Sequence, residues 1–390
     1  MKRGPSGIYK TDTTSGEPVR AFVPAPLPPD PLPSIDGARA RLHDQAMLAC
    51  GRLDAISALL PEPDLFLYAY VRREALLSSQ IEGTQSSLSD LLLFEIDEAP
   101  GVPFDDVVEV SNYIDALEHG LVRLGNGFPL SNRLLRELHA RLLARRQGSD
   151  KQPGMFRTTQ NWLGGTRPGN AAFVPPPPGR IQDCLADLER FIHAQEPPVS
   201  PLVKAALAHV QFETIHPFLD GNGRIGRLLI ALILHTERVL SQPLLYLSLF
   251  FKEHRSEYYR LLDQCRVEGD WEAWLDFFLE GVAETASGAV ETANRLRDMF
   301  DTDARAIRTL GRGAPNAARI FDEFRRRPLT SISDLTRRAN VAFPTAARAV
   351  NALNRLGIVD EITGRQRDRV YAYHRYIEIL NEGAEPLPNR

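Results

Sequence analysis

Apolar residues recur at helical spacing over most of this chain. From Ala38 onward Leu42, Met47, Leu48, Leu53, Ile56, Leu59 and Leu60 keep near a 3.6-residue period, and Pro61 and Pro63 end the run. A second helix is predicted from Asp64 through Ser78 to Gly83, a natural residue to follow a helix because glycine tolerates positive φ. Further helices are predicted near 86–96, 106–124 and 130–146, and helical periodicity resumes after 180 and runs to about 303, broken near 195–200 and 214–222. Two stretches differ. Eight prolines between Pro5 and Pro33 remove donors and helical dihedrals, which predicts an extended arm strapped across the protein's own surface, an SH3-type ligand being the alternative. The strand-like run Arg157–Gly165, a Gly/Pro/Asn turn cluster and Ala171–Val174 before four prolines predict a β-hairpin.

The tail has its own character. Helices are predicted over 316–326, 332–339 and 344–356, then a two-stranded ribbon, 358–362 and 369–373, around 363–368, the pattern of a winged helix-turn-helix module. Between Asp303 and Arg375 there are 15 Arg, no Lys and 7 acidic residues, so this segment is net +8 within a chain of net charge −4. Arg348, Asn351, Asn354 and Arg355 on the third tail helix, with Arg365, Arg367 and Arg369 by the ribbon, suit phosphate and groove contacts. Such modules also dock proteins or dimerise, so a DNA partner, a protein partner and a homodimer all stay open. The expected fold class is mainly α: an arm over 1–37, an N-terminal helical region over 38–125, a helical core with a small β-hairpin flap over 126–300, and the C-terminal module over 303–390.

Composition narrows the classes. With 43% hydrophobic residues in 390 there is apolar mass for real cores, which excludes wholesale disorder. Cys50, Cys184 and Cys265 are far apart, odd in number and without metal-ligand spacing, as expected of buried thiols in a reducing compartment. The residues after Met1 are polar and the longest apolar run is Leu228–Leu234, so the expectation is a cytoplasmic protein with no membrane partner.

The densest chemistry is His216-Pro217-Phe218-Leu219-Asp220-Gly221-Asn222-Gly223-Arg224-Ile225-Gly226-Arg227. Ile225, Leu228, Leu229, Leu232 and Ile233 then follow a core-facing helical period, so a loop delivers glycines to a helix N-terminus. Free N–H groups of a first turn and the positive end of the dipole bind anions, and Gly221 and Gly223 let backbone approach phosphate oxygens. Arg224 and Arg227 share a helical side and can clamp a polyphosphate, Asp220 offers a hard oxygen for Mg²⁺, and His216 can take a proton from a hydroxyl.

This run resembles the Fic family signature HPFxDGNGRxxR at every defining position. The resemblance extends over about 60–285 through Gln160-Asn161-Trp162-Leu163-Gly-Gly, Phe173-Val-Pro-Pro-Pro-Pro178, Tyr246-Leu-Ser248, Tyr258-Tyr259 and Asp270-Trp271. It implies an all-helical core that transfers AMP from ATP, with Mg²⁺, to a Ser, Thr or Tyr hydroxyl of a target protein or of the chain itself. It also implies roles for single residues. His216 would be the base, Asp220 the metal ligand, Gly221, Asn222 and Gly223 the anion hole, Arg224 and Arg227 the β- and γ-phosphate ligands, and Tyr258 and Tyr259 neighbours of the nucleotide. Gln160, Asn161, Trp162 and Leu163 would dock the target as an added strand. The intact GNGR favours nucleotidyl transfer over the phosphoryl transfer of the related Doc kinases. Ser78-Ser-Gln-Ile-Glu82-Gly83 resembles the family's inhibitory motif, with Arg227 as the partner implied for Glu82; a carboxylate at a helix C-terminus is disfavoured by roughly 0.3–1 kcal/mol and wants a cation. A nucleotide-sensing DNA-binding regulator and removal of AMP by the same site are the alternative readings.

Overall fold

The computed structural model describes residues 2–13, 17–59, 63–97, 104–144, 151–365 and 369–386; Leu60, Pro61, residues 145–146 of the predicted fifth helix, and Arg367 lie outside them. The first elements are β1 (Gly7–Asp12), β2 (Val19–Pro24), α1 (Gly37–Leu59), α2 (Pro63–Glu82), α3 (Leu88–Asp97), α4 (Phe104–Gly125) and α5 (Asn132–Leu142). The central helices are α6 (Ile181–His193), α7 (Pro201–Ile215), α8 (Asn222–Thr236), α9 (Ser248–Glu253), α10 (Arg255–Glu268) and α11 (Trp271–Arg308). The chain ends with α12 (Ala314–Arg326), β3 (Leu329–Ser331), α13 (Ile332–Ala339), α14 (Phe343–Arg355), β4 (Asp360–Glu361), β5 (Val370–Ala372) and α15 (His374–Asn381). They gather into two compact units, Met1–Asp54 with Ser111–Ala286, and Ala55–Val110 with Ser287–Arg390. The sequence segmentation at 37, 125 and 302 is contiguous, and these units are not, because packing joins stretches distant in the chain.

In the first unit α7 is the centre. It is apolar on all sides, with Leu202, Val203, Leu207, Val210, Phe212 and Ile215 buried along its length, the composition of a helix surrounded by others. Helices α6, α8 and α10 pack on it. Of its polar side chains, Lys204 Nζ meets Glu237 at 2.5 Å and Gln211 Nε2 donates to the Ala25 carbonyl at 2.8 Å, and its Ala206 carbonyl accepts from Trp274 Nε1 at 3.0 Å.

The N-terminal arm departs from the extended strap expected over 1–37. It contains an antiparallel hairpin, with Gly7 opposite Pro24 and Asp12 opposite Val19, and Ala21 and Phe22 are fully buried. Pro5 and Pro18 precede the strands and Pro24 ends one, so the ladder keeps its donors. The remainder does act as a strap: Arg3 forks onto Glu272 at 2.6 and 2.7 Å, and the Gly4 and Ser6 N–H groups donate to Glu268 and Arg266 carbonyls at 3.0 Å. Burial raises the pKa of Glu272, and the hydrogen bonds from Arg3 outweigh it, holding the carboxyl at about 2.

The predicted hairpin over 150–180 also needs correction, since the structure pairs it through one bridge, Leu163 to Phe173. Gly164 and Gly165 turn away at φ 67° and 72°, and Pro175 to Pro178 have no N–H to extend a ladder.

The second unit joins α2 and α3 to the C-terminal elements, with α12 and α15 packed on α2. Arg72 lies 3.3 Å over the Tyr68 ring and reaches Glu95 at 2.7 Å. Phe300, Phe321, Tyr373 and Tyr376 form an aromatic cluster beside Asp303, which accepts from the Tyr373 hydroxyl and from Arg375 at 2.7 Å. The predicted two-stranded ribbon is a three-stranded antiparallel sheet in the order β3-β5-β4. Leu329-Thr330-Ser331 was hidden in the sequence because it is short and Ser331 also caps α13, accepting from the Asp334 N–H at 3.1 Å.

In the first unit, an alanine Cβ at Gly281 of α11 would sit 2.6 Å from Phe250 Cδ1 and 2.9 Å from Cε1, inside a ring that is 4% exposed. Gly281→Ala is expected to destabilise the protein by about 1–3 kcal/mol through overpacking. Differential scanning calorimetry should record a lower Tm; an unchanged Tm would mean that Phe250 can move aside.

Candidate active site

The signature loop links the C-terminus of α7 to the N-terminus of α8. His216 ends α7 in the left-handed region, φ 49° and ψ 60°, and its N–H still donates to the Phe212 carbonyl at 2.9 Å. Gly221 starts α8 at φ 76°, a left-handed conformation that favours glycine, and a Cβ there would come 3.0 Å from Leu142 Cδ2. Between them Asn222 closes the loop on itself. Its Oδ1 accepts from the Phe218 N–H and its Nδ2 donates to the Phe218 carbonyl, both at 2.9 Å.

Asp220 accepts the Gly221 N–H at 2.7 Å through Oδ1, which also lies 3.5 Å from Arg224 Nη2. Arg224 and Arg227 are 2% and 4% exposed, within the first turns of α8. Two buried guanidinium groups at the positive end of a helix dipole, beside the partly exposed Gly223, make a site of positive potential suited to an anion. Among the described residues no three His, Cys, Asp or Glu side chains gather into a metal cage. Asp220, partly exposed on this loop, offers a hard carboxylate oxygen of the kind Mg²⁺ takes.

Three groups that the sequence reading missed hold this loop. Arg157, 2% exposed, donates through Nε to the His216 carbonyl at 2.9 Å and through Nη2 to the Pro176 carbonyl at 2.6 Å, while its own N–H donates to the Pro217 carbonyl at 2.9 Å. Burial lowers its pKa to about 10. His139 stacks on Phe218 at 3.8 Å; its Nδ1 accepts from the Gly154 N–H at 2.9 Å, so Nε2 carries the proton given to the Asp220 carbonyl at 3.1 Å. Burial lowers its pKa to about 4. Beneath α8, His209 bonds the Gly226 carbonyl at 2.9 Å and the Tyr258 hydroxyl at 2.8 Å, and burial lowers its pKa to about 3. None belongs to the signature run, and only a buried position on an amphipathic helix hints at His139.

The flap reaches the same loop. Asn161 Nδ2 donates to the Phe218 carbonyl at 3.1 Å, Gln160 Nε2 to the Pro175 carbonyl at 3.0 Å, and Leu163 makes the bridge to Phe173. Trp162 is 40% exposed. On the other side of the flap, the Phe22 N–H of β2 donates to the Val174 carbonyl at 2.9 Å and Glu17 accepts from Arg167 and from the Gly169 N–H. Of the aromatic pair on α10, Tyr258 is buried at 1% and Tyr259 is exposed at 38%, with Arg255 5.2 Å over its ring.

Ser78, Glu82 and Gly83 lie in the second unit. Ser78 and Ser79 are fully buried, Glu82 is exposed at the end of α2, and Gly83 takes φ 114°. Gln80 Nε2 donates to the carbonyls of Ser86 and Ala384 at 3.1 and 3.0 Å, and Arg73 Nη2 to that of Glu382 at 2.5 Å.

The two lowered histidine pKa values set a pH dependence. Below about 6.5 the unfolded chain takes up protons that His139 and His209 refuse in the folded state, so stability falls as pH falls from there towards the folded values. His139→Gln is expected to be less stable at pH 7.5 but to lose less between pH 6.5 and 4.5. Urea unfolding at fixed pH checks this, and equal losses in both proteins would refute it.

Known proteins resemble this chain in sequence and in fold. Residues 40–122 match the Fic/DOC family N-terminal region and residues 129–234 the Fic/DOC family itself. The chain is 33% identical over 150 residues to "Protein adenylyltransferase Fic" of Drosophila grimshawi, covering 38% of this chain and 28% of that protein. It is likewise 33% identical over 152 residues to the protein of that name from Culex quinquefasciatus, covering 39% and 27%. The match thus spans little more than a quarter of the length of these relatives. A Fic family protein of Desulfovibrio desulfuricans G20 shares the fold at TM-score 0.57 and 22% identity, over 87% of this chain and 97% of that one. A Fic domain-containing signaling protein of Bacteroides thetaiotaomicron does so at TM-score 0.52 and 20% identity, over 64% and 97%. Both Fic/DOC family regions are thus matched in order along this chain, and the signature is complete on the loop between α7 and α8.

Proposed function

We propose that the protein is an adenylyltransferase, moving AMP from ATP to a Ser, Thr or Tyr hydroxyl of a target protein, with Glu82 restraining it. One observation carries the reading: left-handed His216 and left-handed Gly221 bracket a single loop, so an imidazole and the first-turn N–H groups of α8 belong to one rigid turn. In this reading the nest at Gly221, Asn222 and Gly223, with Arg224 and Arg227, holds the phosphates. His216 takes the proton of the target hydroxyl as its oxygen bonds to the α-phosphorus. The bond from that phosphorus to pyrophosphate breaks in line, and pyrophosphate leaves with the electron pair. Asp220 would hold Mg²⁺, which when bound would supply positive charge against the phosphates. Tyr259 presents its ring to the base of the nucleotide while Tyr258 supports it from the core. The flap residues Gln160 to Leu163 receive the target segment as an added strand.

The restraint reading rests on the motif Ser78 to Gly83, for which the resemblance implies Arg227 as the partner: Glu82 would then take the cation that the γ-phosphate needs. The buried serines and the Gln80 hydrogen bonds that build the end of α2 support a defined position for this carboxylate within its unit.

With α-labelled ATP and Mg²⁺, wild-type protein should label itself or a target slowly. His216→Ala should lose about 10²–10⁴-fold of that rate, the range of general-base contributions, with nucleotide binding changed only a few fold. Label from γ-labelled ATP alone would mean a kinase instead. Glu82→Gly should speed transfer tenfold or more, equivalent to about 1.4 kcal/mol of barrier, and the double variant with Arg227→Ala should lose that gain. A folded, ATP-binding Glu82→Gly protein no faster than wild type would end the restraint reading while leaving transferase activity standing.

A further inference from the structure

The second unit carries a groove of about 830 Å³ between the start of α12 and the face of α14. Its polar lining includes Arg312, Arg348 and Arg355 with Asn316, Asn351 and Asn354, and no carboxylate is among the lining residues. Arg348, Asn351 and Arg355 recur at i, i+3 and i+7, so they form one exposed stripe along α14, a helix with no acidic residue. Helix α14 is itself well held. Ala346, Ala349, Val350 and Leu353 are buried on its other face, and Asn354 Nδ2 donates to the Val359 carbonyl at 2.8 Å.

The distribution of ion pairs sharpens the contrast. Arg325 meets Asp322 at 3.1 Å, Arg326 meets Glu323 at 2.9 Å, Arg337 and Arg338 both meet Asp334, and Arg375 meets Asp303. Asp303, Asp322, Glu323 and Asp334 are thus engaged by arginines and none of them lines the groove, while Asp360 lies at its margin, 3.4 Å from Asn354 Nδ2. Arg348 spends Nε on the Pro344 carbonyl at 3.1 Å, and among the described residues Arg312, Arg348 and Arg355 have no ion pair. Three such cations with amide neighbours make a site for a polyanion. Leu310 is the one large apolar side chain of the lining, whereas protein interfaces are built on buried aromatic and aliphatic centres. Arg348 and Arg355 are two helical turns apart, about 10 Å along the axis. A duplex presents roughly six charges over that length, and a phosphorylated side chain presents one group.

We propose that this groove and the exposed stripe of α14 dock duplex DNA. The order of elements from α12 to β5, three helices and a three-stranded sheet, supports a winged-helix geometry in which α14 enters the major groove. Arg312, Arg348 and Arg355 contact phosphates, and Asn351 offers the amide that pairs with a base edge. Arg365 and Arg369, exposed after β4, extend the positive surface. This docking is independent of the transferase reading, since no lining residue belongs to the 216–227 loop.

The test uses the full chain and a fluorescein-labelled, mixed-sequence duplex of about 24 base pairs, followed by anisotropy in 25 to 200 mM KCl. Wild-type affinity should fall by roughly two orders of magnitude over that range, as expected for about three phosphate contacts. The double variant Arg348→Ala, Arg355→Ala should bind at least tenfold more weakly at 25 mM KCl, with a log–log salt slope shallower by about 2. Arg326→Ala, a cation already paired with Glu323, should bind within about twofold of wild type. No shift at 25 mM KCl, equal binding by the double variant, or capture of a phosphopeptide in place of the duplex would each overturn the proposal.

Discussion

The buried guanidinium of Arg157 donates to carbonyl oxygens that belong to two different parts of the first unit, His216 on the loop after α7 and Pro176 at the exit of the flap. Burying a guanidinium costs free energy, and neutral carbonyls recover it only if they converge with good geometry. That requirement ties loop and flap together: the carbonyls cannot drift without leaving donors unmet. It also supports the left-handed His216, a conformation that a non-glycine residue keeps only when its surroundings over-determine it. Because its hydrogen-bond acceptors are neutral, Arg157 adds positive potential beside the loop that carries Arg224 and Arg227.

The shell around that loop separates orientation from charge. His139 and His209 are kept neutral by burial, with lowered pKa values of about 4 and 3, and each uses both ring nitrogens to hold backbone or a hydroxyl in place. Charge resides in Asp220, Arg224 and Arg227, at the end of α8 where a helix dipole favours anions. The N-terminal hairpin continues the construction outward, since β2 grips Val174 and Glu17 holds the turn at Arg167 and Gly169. In the second unit Asp322 and Asp334 are engaged by arginines, and no carboxylate is among the lining residues of the α14 groove.

Much of this was legible from residues alone. Helical periodicity predicted α13 to the residue and α2 to within a residue of its start, because apolar spacing, proline breaks and a terminal glycine are local signals. The signature run was legible because His216, Asp220, its glycines and its arginines are contiguous on one loop, and contiguity is what a sequence displays. Strand content was less legible: β1 and β2 lay hidden among prolines, and β3 is too short to show a period.

What the tertiary structure decided are the relations between distant residues. Arg157 is 59 positions from His216 and His139 is 81 from Asp220, and nothing local marks either as a partner. Tyr258 and Tyr259 are adjacent in sequence, yet packing on His209 buries one and leaves the other at the surface. The units themselves join stretches such as Ala55–Val110 and Ser287–Arg390. Burial and hydrogen-bond satisfaction act between surfaces that meet only once the chain is folded, so the sequence by itself determined most of the helices and the composition of the signature loop, while tertiary packing decided which groups hold that loop in place.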